Sequence, residues 1–316
     1  MVDFNSVLEA QARISNYIHR TPVMSSVSIN EMFGCELYFK CENLQKVGAF
    51  KARGACNAVF SLTDKQAALG VCTHSSGNHA QALAYAAKIR GIPCTIVIPH
   101  TAPSIKINGV RGYGAEIEFC EPSLADREEA LQRVVERTGS HVVLPFNDER
   151  VIAGQGTAAL ELMEQVQNLD VIIAPVGGGG LLSGTLLSIH GANSVILCYG
   201  AEPEAADDAL RSIRAGSIQP SIQPQTIADG LLTSLGTLTF PIIQQYVTDI
   251  VTASEPNIIA AMRIIMERVK LVVEPSGAVP LAAIMQNNAH FLGKRVGVII
   301  SGGNVDVSRL PFAATE

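Results

Sequence analysis

Three short stretches of this 316-residue chain combine residue types and spacing that could carry chemistry. Gly177-Gly178-Gly179-Gly180 follows an apolar run and opens what reads as a helix over residues 181–188. Four glycines let a backbone curl around an anion without side-chain clash, and free N–H groups with the helix dipole then favour a phosphate. A tight, flexible strand-to-helix turn is the competing explanation, although four glycines carry an entropic cost that such a turn does not require. Gly48-Ala49-Phe50-Lys51-Ala52-Arg53-Gly54-Ala55 sets a lysine beside an aromatic and several small residues. In a dry pocket, desolvation would lower the pKa of Lys51 and free its amine for Schiff-base chemistry. Taken alone, it reads first as a solvated lysine at a helix end. In Thr73-His74-Ser75-Ser76-Gly77-Asn78-His79, hydroxyl and N–H groups between a strand and a helix could hold a carboxylate. An ordinary Ser/Asn helix cap explains that stretch equally well.

A dinucleotide site competes for the glycine loop. Strand, loop, helix, strand and then Glu202 imitates such a unit, with an acid about 20 residues on. The third glycine of G-x-G-x-x-G is missing, however: Leu182 or Ser183 stands there, depending on which glycine starts the count.

These loops need regular elements to aim them, and the chain supplies them in alternation. Phe4, Val7, Leu8, Ile14 and Ile18 recur at helical spacing behind Asp3, which suits an N-cap. Strands are expected over 36–41, 70–74, 94–99, 116–120, 142–145, 170–176, 194–199 and 295–300. Helices are expected over 54–62, 78–88, 104–113, 125–138, 151–166 and 181–188. Apolar strands alternating with helices mean an α/β architecture of mostly parallel sheets covered by helices on both faces. Ligands in such sheets sit at the carboxyl ends of the strands, where the glycine and serine loops fall. A chain of 316 residues exceeds what one core usually holds, so two lobes are expected.

A net charge of −6 with scattered Lys and Arg argues against nucleic acid and membrane surfaces as partners. Seven cysteines, an odd number without a C-x-x-C pair, read as buried thiols in a reducing compartment. The start, Met1-Val2-Asp3-Phe4, has no basic stretch leading into an apolar one, and no apolar run reaches membrane-spanning length. The chain therefore reads as cytoplasmic and complete.

Taken together, the motifs resemble those of the serine racemase and threonine/serine dehydratase family. These are pyridoxal-phosphate (PLP) enzymes of the fold type exemplified by the tryptophan synthase β subunit. The matching stretches are Phe39-Lys40-Cys41-Glu42-Asn43, Ala49-Phe50-Lys51, Ser75-Ser76-Gly77-Asn78-His79, Ile152-Ala153-Gly154-Gln155-Gly156-Thr157, the four glycines, Thr226-Ile227-Ala228-Asp229-Gly230, Val273-Glu274-Pro275 and Ser301-Gly302-Gly303-Asn304-Val305-Asp306. They run in family order from about residue 21 to 306.

The resemblance implies roles residue by residue. Lys51 would be the Schiff-base lysine, and Phe50 would pack against the cofactor ring. Asn78 would meet the ring oxygen, Gly177, Gly178, Gly179 and Gly180 the phosphate, and Ser301 the pyridine nitrogen. A serine at that nitrogen does not enforce a protonated ring, which suits elimination. Ser76 corresponds to the acid/base serine facing Lys51 across the substrate in serine racemases. Ser75, Asn78 and His79 would bind the substrate carboxylate, Arg127 would lie near the substrate side chain, and Thr233 would be a further substrate-binding residue. Glu202, Ala206 and Asp208 match the family's divalent-cation site, and their hard oxygen ligands suit Mg2+ or Ca2+.

The chain also departs from the pattern. Thr233-Ser234 stands where mammalian serine racemases have a Ser-Ser pair, Ala49 replaces a serine, and Ala80 a glycine. Gly48-Ala49-Phe50-Lys51 and Gly230-Leu231-Leu232-Thr233-Ser234-Leu235-Gly236 look more like bacterial-type dehydratases, which argues against a dedicated racemase. The chain ends at Glu316, without the regulatory domain of biosynthetic threonine dehydratases, so isoleucine feedback is not expected. The resulting expectation is a two-lobed enzyme with a smaller lobe, 61–145, inserted into a larger one made of 1–60 and 146–316. Lys51 would remove the Cα proton of L-serine or L-threonine, and loss of the hydroxyl would lead to a keto acid and ammonia. Amino-acid racemisation using Lys51 and Ser76 is one alternative, and a 3-hydroxyaspartate dehydratase with Arg127 on the second carboxylate is another. The family resemblance also suggests a homodimer. Two readings outside the class are a nicotinamide oxidoreductase and a non-catalytic PLP-binding protein.

Overall fold

The computed structural model of this chain describes residues 2–102 and 104–312; readings that involve Met1 or Glu316 lie outside the described residues. Among the described residues, ten strands form two sheets. They are β1 (Val23–Met24), β2 (Glu36–Cys41), β3 (Val71–His74), β4 (Cys94–Pro99), β5 (Glu116–Cys120), β6 (His141–Val142), β7 (Val171–Pro175), β8 (Leu197–Pro203), β9 (Asp249–Ala253) and β10 (Arg295–Ile300). The larger sheet has the order β1-β2-β10-β7-β8-β9, parallel throughout except for the short antiparallel edge strand β1. The smaller sheet, β5-β4-β3-β6, is all parallel. This is the expected α/β organisation. Every residue of β4 and of β7 is buried, as continuous apolar strands between two helical layers require.

The helix Phe4–Ile14 starts at Asp3, whose carboxylate accepts from the Ser6 N–H at 2.9 Å, and it buries Val7, Ala10 and Ile14. Ile18 lies beyond its end, so the stripe read from the sequence runs on into a loop.

Other boundaries moved for physical reasons. The helix expected from residue 54 is Lys51–Phe60, which places Lys51 in its first turn. The strand expected over 142–145 shrinks to His141–Val142. Beyond it the Val143 carbonyl is taken by His79 and the Pro145 carbonyl by Lys51, so the segment turns into the cleft instead of pairing. β8 starts later and runs further than expected, and so carries Glu202 within a strand. β9, absent from the sequence reading, pairs with β8 at the sheet edge.

One helix organises the site. Glu149–Gln165 lies between Lys51–Phe60 and Gly180–Gly191, the helices that follow Phe50 and the glycine loop. A Cβ at Gly154 would fall 2.6 Å from the Gly54 Cα, and one at Gly184 only 2.4 Å from the Gly156 nitrogen. The backbones touch at these glycines, and any side chain would force the helices apart. Beside this contact lies a buried charge cluster. The Arg53 guanidinium donates from Nε and Nη2 to Glu42 at 2.7 and 2.8 Å. It donates from Nη1 and Nη2 to Glu161, both at 2.8 Å, and from Nη1 to the Thr157 hydroxyl at 3.1 Å. Lys40 donates to Glu161 at 2.6 Å. Arg53, Lys40 and Glu42 are fully buried and Glu161 nearly so. Two cations face two carboxylates, so the cluster is neutral, and all five guanidinium N–H groups are used.

Candidate active site

Lys51 stands where the two sheets meet. Its Nζ donates to the Pro145 carbonyl at 2.6 Å and lies 5.1 Å from the centre of the Phe50 ring. Burial lowers its pKa to about 8, partly offset by the negative charge of Glu274. Phe50 is held from behind: its N–H donates to the Ser301 carbonyl at 2.9 Å, and Ala49 bridges Gly302. The end of β10 is thereby stitched to the start of the Lys51 helix, with Ser301 buried at the junction.

The glycine loop leaves β7 and enters the helix Gly180–Gly191, with Gly179 in the left-handed region at φ 86°. The N–H groups of Gly177, Gly178, Gly179 and Gly180 make no hydrogen bond among the described residues. Its outer side is walled by protein. A Cβ at Gly177 would press on Gly230 and Leu231, one at Gly178 would enter the Phe146 ring, and one at Gly179 would meet Thr239 and Ile243. The loop is therefore clamped, with uncommitted donors at a helix N-terminus, and this arrangement fits a phosphate ester.

Ser75, Ser76 and Gly77 bridge β3 and the helix Asn78–Arg90. Ser75 is fixed by its N–H to the Val97 carbonyl at 3.1 Å, whereas the Ser76 hydroxyl makes no hydrogen bond among the described residues. Asn78 donates to both oxygens of Glu274, at 2.9 and 3.2 Å, and accepts from Asn304 at 2.9 Å. A ring oxygen would compete with Glu274 for those N–H groups. His79 is buried, with Nε2 2.9 Å from the Val143 carbonyl. Burial, aided by the charge of Lys51, pushes its pKa down to about 3. The ring is therefore neutral with its proton on Nε2. Its Nδ1 is a buried acceptor without a partner among the described residues and cannot donate to a carboxylate. What His79 can offer a carboxylate is its backbone N–H in the first turn.

Arg127, on the helix Leu124–Thr138, is half-buried, and its Nε has no partner among the described residues. Burial holds the pKa of His74, the last residue of β3, below its usual range, with Glu128 opposing and the charge of Arg127 adding to the shift. Thr233 is exposed on the loop before the helix Thr239–Tyr246. Among the described residues it makes no hydrogen bond to the others.

Glu202 and Asp208 are each 1% exposed, and Ala206 is buried between them in sequence. Glu202 accepts from the Ala209 and Leu210 N–H groups at 2.9 and 3.0 Å. Both oxygens of Asp208 lack a hydrogen-bond partner among the described residues, although the Ser221 hydroxyl stands near enough to ease its charge. Burial raises Glu202 to about 8 and Asp208 to about 6. Two buried carboxylates, one with both oxygens unsatisfied, fit a hard cation. No group of three acidic, His or Cys side chains converges among the described residues, so carbonyls such as that of Ala206 and water would complete the shell.

The chain matches the profile of pyridoxal-phosphate dependent enzymes over residues 14–302. It belongs to that family. It is 53% identical, over 98% of each chain, to the β-hydroxyaspartate dehydratase of Paracoccus denitrificans. The solved serine racemase of Dictyostelium discoideum is 51% identical with a TM-score of 0.93, over 97% of this chain and 99% of that one. A solved threonine deaminase from T.th. is 42% identical with a TM-score of 0.92, over 96% of this chain and 99% of that one. The two-sheet architecture is thus the fold type II of PLP enzymes, and PLP is the cofactor. The chain is an enzyme of the serine racemase and dehydratase group. No helix among the described residues is long and apolar enough to cross a membrane.

The sequence reading assigned no role to Glu274, Asn304, Pro145 or Phe146. The first two stood inside stretches that carried the resemblance. Pro145 and Phe146 gave no signal, because their importance lies in a carbonyl and in a ring packed against a distant loop.

Proposed function

We propose that the enzyme catalyses β-elimination from a small β-hydroxy amino acid, L-serine or L-threonine, giving a keto acid and ammonia. The observation that carries this reading is the Lys51 amine. Desolvation brings it to about 8, so a useful fraction is free base near neutral pH, and it stands beside a loop suited to phosphate. The bound cofactor supplies an electron sink that acidifies the Cα proton. Lys51 takes that proton, the N–H groups around Ser75 and Asn78 hold the substrate carboxylate, and Gly177–Gly180 hold the phosphate. Segment 61–145 acts as the smaller lobe of a cytoplasmic homodimer, and Glu202, Asp208 and the Ala206 carbonyl hold Mg2+ or Ca2+.

Arg127 favours a second reading, 3-hydroxyaspartate as substrate. A half-buried guanidinium with an unpaired Nε next to the Ser75 loop suits a second carboxylate. The β-hydroxyaspartate dehydratase relative supports it. The test is a panel of L-serine, L-threonine and 3-hydroxyaspartate, scoring keto acid and D-isomer for the parent and for Arg127→Met. Selective loss on 3-hydroxyaspartate supports the second reading, and equal kcat/KM changes on all three substrates remove it. Absence of keto acid from every substrate would sink the elimination proposal.

A further inference from the structure

The segment Pro145-Phe146-Asn147 connects the lysine to the glycine loop. At one end the Pro145 carbonyl accepts from Lys51 Nζ at 2.6 Å. In the middle, the Phe146 ring occupies the space of a Gly178 Cβ, and its own Cβ comes within 3.0 Å of where one at Gly180 would be. At the other end Asn147 accepts from the Leu238 N–H at 2.8 Å and donates to the Thr237 hydroxyl at 3.1 Å. The residue after Leu238, Thr239, donates its hydroxyl to the Gly178 carbonyl at 2.8 Å. The chain of contacts starting from Lys51 thus returns to the same glycine that Phe146 covers.

Phe146 is half-buried and belongs to none of the apolar cores. Its packing is directed at the loop. It covers Gly178 with its ring and Gly180 with its Cβ, and it comes from the segment that holds Lys51. A glycine run has no intrinsic curvature, so its N–H groups converge only if something outside enforces the bend.

We propose that Phe146 is a positioning residue for the phosphate. Its ring enforces the curvature of Gly177–Gly180 and so aims the free N–H groups. The inference rests on reading this loop as the phosphate cradle. The experiment measures equilibrium binding of pyridoxal phosphate and of pyridoxal, which lacks the phosphate, to cofactor-free protein. The parent should bind pyridoxal phosphate more tightly. Phe146→Ala should weaken pyridoxal phosphate by about tenfold or more, as when a hydrogen bond to a charged group is lost, and leave pyridoxal unchanged. Phe146→Leu, closer in volume, covers the case in which the alanine variant does not fold and should show the same selective loss. Phe146→Tyr should restore the parental ratio. A folded Phe146→Ala or Phe146→Leu protein with the parental ratio, or with equal losses on both ligands, overturns the proposal. A parent that does not distinguish the two ligands overturns the cradle reading, and this inference with it.

Discussion

Removing the Arg53 guanidinium tests whether the buried charge cluster holds the Lys51 helix in place. In Arg53→Met, Glu42 and Glu161 lose all four of their hydrogen bonds from arginine and keep Lys40 as their one cation among the residues described here. The site carries one uncompensated negative charge in a place closed to water. Breaking a buried pair from one side typically costs about 3–5 kcal/mol. For a chain of this length that corresponds to a fall in melting temperature of roughly 6–10 °C, taking about 2 °C per kcal/mol. The double variant Arg53→Met/Glu42→Gln restores neutrality, with Lys40 facing Glu161 and a glutamine still able to accept from Thr21. It should be more stable than the single variant despite carrying one more substitution. Guanidinium unfolding followed by circular dichroism, on cofactor-free protein, measures all three. If the double variant is the less stable, or the single variant loses under about 1 kcal/mol, the charge argument is wrong and Arg53 acts through packing alone.

Three further outcomes are expected. Lys51 has a pKa near 8 folded and 10.5 unfolded, so the unfolded chain binds more protons between those values and stability due to this residue rises with pH across them. Lys51→Met should therefore abolish turnover yet raise the melting temperature of cofactor-free protein at pH 7, with the gain shrinking toward pH 10; a lower melting temperature at pH 7 contradicts the desolvation argument. Chelation should lower the melting temperature and activity of the parent, Mg2+ or Ca2+ should restore both, and Glu202→Gln should be insensitive to chelator; a parental response from that variant places any cation elsewhere. Ser76→Ala should remove L-to-D conversion of serine, about 10²–10⁴-fold for a positioned acid/base group, and spare most pyruvate formation from L-serine; parallel loss in a chiral assay would make Ser76 a substrate-positioning residue instead.

Much of the fold was legible because buried parallel strands leave apolar runs and the half-exposed edge strand β5 alternates polar and apolar residues. β2, β4, β5 and β10 have the bounds expected from the sequence. The glycine run and the Phe50-Lys51 pair were legible because their chemistry is local: a residue type, a spacing and a place after a strand. β9 was not, because it gains its identity from pairing with β8, where Asp249 lies opposite Tyr199. The end of β6 was not, because two carbonyls there leave the ladder for His79 and Lys51.

The sequence by itself determined the cofactor class and the mostly parallel α/β sheets, since each follows from short-range pattern and family motif, and it singled out Lys51 as the candidate lysine. The tertiary structure decided what surrounds them. It desolvates Lys51, ties the His79 ring to the Val143 carbonyl and Asn78 to Glu274 and Asn304, and sets Phe146 against the glycines. Lys51 and Pro145 are 94 positions apart and Asn78 and Glu274 are 196, so no local window of sequence contains both partners of either contact.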